Sequence, residues 1–160
     1  MELGFAGLTI SLASVIAVWF GAQLIQMTET LDALSVATGP QTEAIVYRAV
    51  HGRWPSPGDA RVVSSVNSGT YAQHLSLEEG GVITADMRLG HTTWSATGVG
   101  LRVRGGSRGL LSFRPELLGS TDVPSVSYLC GYARPTAGAV EVAAANRTTL
   151  PRNHLPPYCR

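Results

Sequence analysis

The chain has 160 residues, 12 basic and 11 acidic side chains, and a formal net charge of +1. This length allows one folded domain beside a short additional segment. The near-neutral charge excludes a global field that would draw the protein onto nucleic acid or anionic lipid. The 18 glycines and nine prolines lie mostly after residue 38, which favours a head built of short strands and turns.

The N-terminal part of the chain is an uncharged apolar segment. No charged side chain occurs from Leu3 to Thr28, and the single acid before this run is Glu2. Because a bilayer core requires roughly 20 mostly apolar residues in a helix, the segment is long enough to span a membrane. We therefore predict a transmembrane or filament-core helix over residues 1–28, in which a carboxylate is costly unless an opposite charge neutralises it.

The helix is predicted to continue as an amphipathic half over residues 29–54. Its apolar positions are Leu31, Leu34, Ala44, Ile45 and Ala49. Gly39 and Pro40 interrupt this pattern, and because proline removes a backbone donor we expect a kink there. The helix should end at residues 51–55, where Gly52 supplies a cap and Pro55 prevents continuation.

The rest of the chain, residues 55–160, is predicted to form a globular head. Residues 55–80 are rich in Ser, Gly, Asn and Pro and are expected to form a loop with a short helix. Strand patterns then follow at 81–87, 98–104, 109–115 (stopped by Pro115) and 123–132. An antiparallel sheet with one apolar face needs a cover, and the distal half of the helix is available for it. The predicted fold class is α+β.

The chain has two cysteines, Cys130 and Cys159. Neither belongs to a CxxC pair, and His154 alone near Cys159 does not make a zinc site. A disulfide is the simpler interpretation and would indicate an oxidising compartment. Closure of a loop of this length should contribute on the order of 3–4 kcal/mol in the chain-entropy model.

Six short stretches, in order, resemble those of type IV pilins. They are TLDALSVATG at 30–39, the helix exit GRWP at 52–55, GVIT at 81–84, the strand at 109–115, YLCG at 128–131 and the ending HLPPYCR at 154–160. The resemblance implies a long N-terminal helix packed on a four-stranded antiparallel sheet, with a C-terminal loop bounded by Cys130 and Cys159. It implies a structural protein that is not an enzyme and needs no cofactor or metal.

The N-terminus departs from the family pattern, in which a short basic leader precedes the mature start. Counting back from LDALS places Glu2 on the family's stalk glutamate, so we expect the leader and about three mature residues to lie upstream of Met1. Cleavage at Gly4-Phe5 is the alternative, and it would put Thr9 at the glutamate position. In the family this glutamate neutralises the N-terminal amine of a neighbouring subunit. The alternative interpretation is that Glu2 is an ordinary acid flanking a helix.

The function that the resemblance implies is that of a structural type IV pilus subunit. Such a subunit is held in the bacterial inner membrane and then assembled into an extracellular filament for adhesion, motility or DNA uptake. Its partners would be other pilin subunits, the inner-membrane assembly machinery and the membrane. The alternatives are a minor pilin acting as an adhesin or DNA-binding tip, and a pseudopilin of type II secretion, against which the cysteine pair argues. A membrane enzyme is a fourth hypothesis.

One basic cluster is visible in the sequence, formed by Arg102, Arg104 and Arg108 with Arg114 nearby. It could bind DNA phosphates or another anionic polymer. We favour the simpler interpretation, a solvated strand face and turn, since the aromatic residues of a single-strand platform are absent there. No GxSxG, HExxH or phosphate-binding glycine loop occurs, so we expect no catalytic residues.

Overall fold

The computed structural model describes residues 28–59, 69–89, 91–94, 101–104, 108–119, 125–142 and 146–160. For 91–94, 101–104 and Glu141 it describes the backbone alone. Glu2 and the predicted span over 1–28 thus lie outside these residues, apart from Thr28. Among the residues that it describes, the structure contains no helix with the length and apolar character needed to cross a membrane.

A single helix, α1, occupies residues 28–51 of the described chain. Its buried residues are Glu29, Thr30, Ala33, Ala37, Pro40 and Ala44, and from Thr30 onward they recur every three or four residues. The predicted apolar face is confirmed at Ala44, which is fully buried, and at Leu34, which packs against the core. It was wrong at Leu31, which is 54% exposed, and at Ala49, which is also exposed. Small side chains form the buried face because they let the helix backbone approach the sheet closely.

The predicted end of the helix is confirmed. The last helical residue is His51, and Gly52 follows with a φ of +69°. Its backbone nitrogen donates to the carbonyl oxygen of Arg48 at 2.8 Å, a typical glycine C-terminal arrangement. The helix continues through Gly39 and Pro40, so these residues do not end it. The kink expected there stays a prediction.

The sheet is antiparallel and has five strands in the described chain, where four were predicted. Two further strands form a separate two-stranded sheet. In sequence order, the strands of both sheets are β1 (Ala72–Leu77), β2 (Ile83–Arg88), β3 (His91–Trp94), β4 (Leu101–Arg104), β5 (Arg108–Leu118), β6 (Ser125–Cys130) and β7 (Ala139–Val142). The main sheet has the order β1-β2-β5-β6, and β7 also pairs with β5. The strands β3 and β4 pair with each other. The coarser prediction, an α+β fold with a helix on an antiparallel sheet, is confirmed.

The central strand β5 extends further than predicted, because Pro115 does not end it. The carbonyl of Ser112 accepts a hydrogen bond from Gly131, directly after β6, so the backbone of residue 112 faces the β6 side. Hydrogen-bonding direction alternates along a strand, and Pro115 therefore faces the opposite side. On that side, β2 pairs with β5 only as far as Phe113, and the pairing of β7 with β5 begins at Glu116 of β5. The missing N–H of Pro115 falls in the gap between two partner strands, where no ladder bond is lost.

Strand β1 was also missed, since residues 55–80 were predicted to be a loop. Its start is fixed by Asp32 on α1, whose Oδ2 accepts hydrogen bonds from the backbone nitrogens of Tyr71 at 2.7 Å and Ala72 at 3.1 Å. A Cβ on Gly69 would collide with the same carboxylate. The polar anchor and the alanine face of α1 together hold the helix on the sheet.

The hydrophobic core lies between α1 and the sheet. Its largest fully buried side chains on β2 and β5 are Ile83, Met87, Leu111 and Phe113, which cluster with the buried alanines of α1. The C-terminal part of the chain contributes Leu150 and Leu155 to the same cluster. The segment after β6 is therefore part of the folded head and not an appended tail.

Candidate functional site

The segment from residue 131 to residue 160, named here the C-terminal segment, is closed at both ends by a disulfide. Cys130 ends β6 and bonds to Cys159, 29 residues later, with the two Cα atoms 4.6 Å apart. Beside it the backbone nitrogen of Tyr132 donates to the carbonyl oxygen of Cys159 at 2.8 Å. The predicted disulfide is confirmed, and both cysteines are buried.

The turn out of β6 requires glycine at residue 131. Gly131 has a φ of +57°, in the left-handed region. A Cβ at this position would lie 2.6 Å from the carbonyl oxygen of Cys159 and 3.1 Å from Cδ1 of Leu155. The two ends of the C-terminal segment approach each other closely because residue 131 carries no side chain.

Two charged side chains of β5 bind the beginning of the segment. The guanidinium of Arg114 donates to the carbonyl oxygens of Ala133 at 2.9 Å and Gly131 at 3.4 Å. Its burial lowers the pKa of Arg114, against the effect of the nearby Glu116 carboxylate. Arg114 is thus engaged by the fold and does not join the surface basic cluster that the sequence suggested.

The second of these side chains, Glu116, is only 1% exposed. Its carboxylate accepts hydrogen bonds from the hydroxyl of Ser127 at 2.7 Å and from the hydroxyl and backbone nitrogen of Thr136 at 2.6 and 2.9 Å. Burial raises the pKa of Glu116, but these hydrogen bonds and the charge of Arg114 outweigh burial, so the net pKa lies below its ordinary value of 4.5. The carboxylate is ionised at neutral pH and fixes Thr136 against the sheet.

Further along, the segment completes one edge of β5. The hydroxyls of Thr148 and Thr149 accept hydrogen bonds from the backbone nitrogens of Ser112 at 3.1 Å and Leu110 at 2.8 Å. The backbone nitrogen of Thr149 donates to the carbonyl of Leu110 at 2.9 Å. Because β6 pairs only with residues 113–118, these bonds satisfy polar groups of β5 that β6 leaves uncovered.

The C-terminal segment carries four exposed arginines, one of which contacts Tyr132. The guanidinium of Arg152 lies 4.7 Å from the centre of the Tyr132 ring. The Tyr132 hydroxyl donates to the carbonyl of Thr148 at 3.0 Å, next to Arg147 in the chain. Arg134 follows Tyr132 by two residues, and Arg160 follows Cys159, to which the Tyr132 backbone is bonded. All four arginines are exposed.

Sequence reasoning missed this arginine set, although a signal was present. Residues 131–160 contain the four arginines and a single acid, Glu141. The arginines are separated by up to 13 residues, from Arg134 to Arg147, so no window of the sequence shows them as a cluster. Arg147 is in addition paired with Glu78, at 3.4 Å between Nη1 and Oε2.

The arginines that the sequence did suggest are only partly described. Arg102 and Arg104 lie on β4, opposite Thr93 and His91 of β3, and the positions of their side chains are outside the description. Arg108 begins β5 and is exposed, and in the antiparallel pair it lies opposite Arg88 of β2. Glu2 is outside the described residues.

A second polar cluster lies where α1 ends. Asp59 accepts hydrogen bonds from the backbone nitrogen of Ser56 at 2.8 Å, from Arg53 at 3.0 Å and from the Tyr47 hydroxyl at 2.8 Å. These bonds, the one from Ser56 first, hold the pKa of Asp59 far below its usual range. All partners are within 12 residues along the chain, so the cluster fixes the turn after α1.

Metal-binding side chains do not converge in the part of the chain that is described. Among those residues, no group of three or more His, Cys, Asp and Glu side chains is placed to hold a metal ion. No protein-family model matches the sequence, and no curated protein matches it either.

Proposed function

We propose that this chain is a structural subunit of a type IV pilus. Before assembly, its uncharged segment from Leu3 to Thr28 is held in the bacterial inner membrane, and after assembly it packs with the same segments of other subunits in an extracellular filament. The observation that carries the proposal is that in the sequence this uncharged segment directly precedes α1, which packs on an antiparallel sheet joined to the C-terminal segment by the Cys130–Cys159 disulfide.

The outward face of α1 supports contact with other subunits. Between residues 31 and 50 its exposed residues are all uncharged, namely Leu31, Ser35, Thr38, Gly39, Thr42, Val46, Ala49 and Val50. The three hydroxyls on this face donate to carbonyls of the helix itself, at 2.8 to 2.9 Å. Hydroxyls satisfied in this way need no water, so a neighbouring helix could cover the face at little desolvation cost.

Glu2 gives the proposed assembly its register. A lone carboxylate beside an apolar stalk costs several kcal/mol, and an amine of the neighbouring subunit would remove that cost. Apolar burial between stalks supplies the cohesion, at about 25 cal/mol per Å² removed from water. Attraction at Glu2 therefore selects which of many similar apolar packings forms.

The first experiment is mass spectrometry of the N-terminal peptide in filaments sheared from the cell surface. The proposal expects a processed and methylated N-terminus in this fraction, and loss of the filaments when the gene is deleted. An unprocessed peptide found only in the membrane fraction, or unchanged filaments in the deletion strain, would count against a structural subunit.

A second experiment tests Glu2 directly by Glu2→Gln, which removes the charge and keeps the size. We expect the variant chain to reach the membrane at normal levels while the yield of sheared filaments falls at least about tenfold, since the charge pair is lost. The matched control is Glu79→Gln, at an exposed acid outside the stalk, and it should leave the filament yield unchanged. Equal yields from both variants would contradict the assigned role of Glu2.

A further inference from the structure

We infer that the head binds anionic lipid headgroups through Arg88 and Arg108, at the end of the sheet that lies beside the start of α1. The inference rests on one part of the proposed function, namely that the uncharged segment from Leu3 to Thr28 is held in a bilayer. It adds a second contact with that bilayer, made by the folded head, and the partner is the phosphate-bearing surface of the same membrane.

Hydrogen bonds place this end of the sheet next to the start of α1. Asp32 follows Thr28 by four residues, which is about 6 Å along a helix axis, and its carboxylate accepts a hydrogen bond from the backbone nitrogen of Tyr71 at 2.7 Å. The carbonyl oxygen of the same Tyr71 accepts one from the backbone nitrogen of Arg88 at 2.8 Å. Arg108 lies directly opposite Arg88 in the antiparallel pair of β2 and β5. Both arginines therefore lie near the residue at which the uncharged segment ends.

The other end of β2 lies beside the end of α1. A Cβ on Gly81, two residues before β2, would lie 2.8 Å from Cε3 of Trp54, which follows α1. Strand β2 thus starts where α1 ends and finishes where α1 begins. Of the two ends of β2, the one that carries Arg88 is therefore the one closer to a bilayer that holds the uncharged segment.

Both guanidinium groups are available to a ligand. Arg88 and Arg108 are exposed, and among the described residues no ion pair or hydrogen bond engages either guanidinium. Of the acids nearby, Glu29 is buried, Asp86 is half-buried, and Asp32 is bonded to backbone nitrogens. Like charges directly opposite each other on neighbouring strands are destabilising. A lipid phosphate would relieve this repulsion and accept paired hydrogen bonds from the arginines.

The hairpin of β3 and β4 adds positive charge at the same end. Strand β3 begins three residues after Arg88, and β4 ends four residues before Arg108. The reach of the chain therefore keeps the Cα atoms of Arg104 and Arg108 within about 14 Å of each other, and β4 also carries Arg102. From residue 87 to residue 115 the sequence contains five arginines and no acid. This stretch is strongly basic, although the net charge of the whole chain is only +1.

The location favours a lipid surface over an anion in solution. Arginines beside a membrane segment bind anionic lipids, and the attraction extends over about one Debye length, or about 8 Å at physiological ionic strength. Because the uncharged segment keeps the head at the membrane, the arginines meet headgroups at a high effective concentration, whereas a soluble polyanion has to bind without this advantage.

The test places the full chain in nanodiscs of neutral phosphatidylcholine, with or without about 30% phosphatidylglycerol. Phenylglyoxal modifies exposed arginines, and mass spectrometry of peptides gives the rate at each one. We expect Arg88 and Arg108 to react at least about fivefold more slowly in the anionic nanodiscs, and this protection to disappear at about 1 M salt, where the Debye length is about 3 Å. Arg53 is exposed at the opposite end of the head and should change by less than about twofold.

A second measurement uses the double variant Arg88→Gln/Arg108→Gln and counts the lipids that the chain retains after extraction in neutral detergent from a bilayer with equal amounts of the two lipids. The unchanged chain should retain phosphatidylglycerol over phosphatidylcholine by about fivefold or more, and the variant should lower this ratio at least about threefold. The matched control Arg134→Gln/Arg152→Gln removes two exposed charges of the C-terminal segment and should keep the ratio within about 1.5-fold.

The outcomes separate this inference from the filament proposal. A chain that leaves the nanodiscs during gel filtration at about 1 M salt would show that no segment is held in the bilayer, and both would be wrong. If the chain stays with the nanodiscs, only the inference is overturned by equal rates at Arg88 and Arg108 in the two kinds of nanodisc, by equal slowing at Arg53, or by equal lipid ratios in the two double variants.

Discussion

At the scale of single residues, Gly131 combines an unusual backbone angle with close contacts. We predict that Gly131→Ala destabilises the head by at least about 2 kcal/mol, because a Cβ would be strained at positive φ and would also meet Cys159 and Leu155. The measurement is the free energy of unfolding in urea, followed by circular dichroism.

Gly138→Ala is the matched control for this prediction. Gly138 has a φ of +88°, yet nothing lies within 4 Å of a Cβ placed there. Only backbone strain should remain, and the expected loss is about 1 kcal/mol. Equal losses in the two variants would show that the contacts at residue 131 relax freely and do not constrain the turn.

Glu116 is a second residue with a testable effect, through pH. Its pKa is lowered in the folded protein, so its ionised form stabilises the fold above the unfolded pKa, and this contribution is lost as the pH falls through the folded pKa. We expect Glu116→Gln to lower the thermal midpoint at about pH 7 and to narrow the difference from the unchanged chain towards about pH 3. Thermal unfolding as a function of pH measures both effects.

The control for Glu116 is the exposed Glu79, for which Glu79→Gln should leave the pH profile of the midpoint unchanged. A constant difference between Glu116→Gln and the unchanged chain from about pH 7 to about pH 3 would contradict the prediction. In that case the carboxylate would contribute only through its shape and its neutral hydrogen bonds.

At the scale of elements, α1 depends on small side chains where it meets the sheet. Ala37 is fully buried, and Ala37→Leu should destabilise the head by about 1–3 kcal/mol because the added atoms force the helix away from the sheet. Ala49→Leu makes the same chemical change at an exposed position of α1 and should have an effect within about 0.5 kcal/mol. Urea unfolding of both variants checks the comparison, and similar losses would mean that Ala37 is not tightly packed.

Some elements could be predicted from the sequence and others could not. Strands β2, β5 and β6 follow from apolar runs next to glycine or proline, and the end of α1 follows from Gly52. Strand β1 was missed because two consecutive exposed residues within it, Gln73 and His74, break the alternation at the register shift between Ala72 and His74. Strand β7 has only four residues, too few for a periodic pattern.

The helix face shows a different limit of sequence reasoning. Leu31 is more apolar than Ala33, yet Ala33 is buried and Leu31 is exposed. How closely the helix can approach the sheet decides between them, and that distance is a property of the assembled fold. The pairing of Cys130 with Cys159, by contrast, could be predicted, because the sequence given contains only these two cysteines.

At the scale of the whole molecule, the disulfide connects Cys159 to the end of β6, an outer strand in the order β1-β2-β5-β6. Cys130→Ser/Cys159→Ser should lower the free energy of unfolding by about 3–4 kcal/mol for a closure of 29 residues. Urea unfolding with and without a reductant checks this value. The reductant should lower the free energy of unfolding of the unchanged chain by a similar amount and leave that of the double variant unchanged. If the reductant does not lower the free energy of unfolding of the unchanged chain, the prediction is contradicted.

The hydrogen bonds between β5 and the C-terminal segment affect when the head can fold during synthesis. The backbone nitrogens of Leu110 and Ser112 donate to Thr149 and Thr148, which follow them by 39 and 36 residues. The carboxylate of Asp32 likewise accepts a hydrogen bond from the backbone nitrogen of Tyr71, 39 residues later. Contacts between residues so far apart in sequence form slowly. During synthesis we therefore expect β5 to acquire its full set of hydrogen bonds only after residues 148 and 149 have left the ribosome.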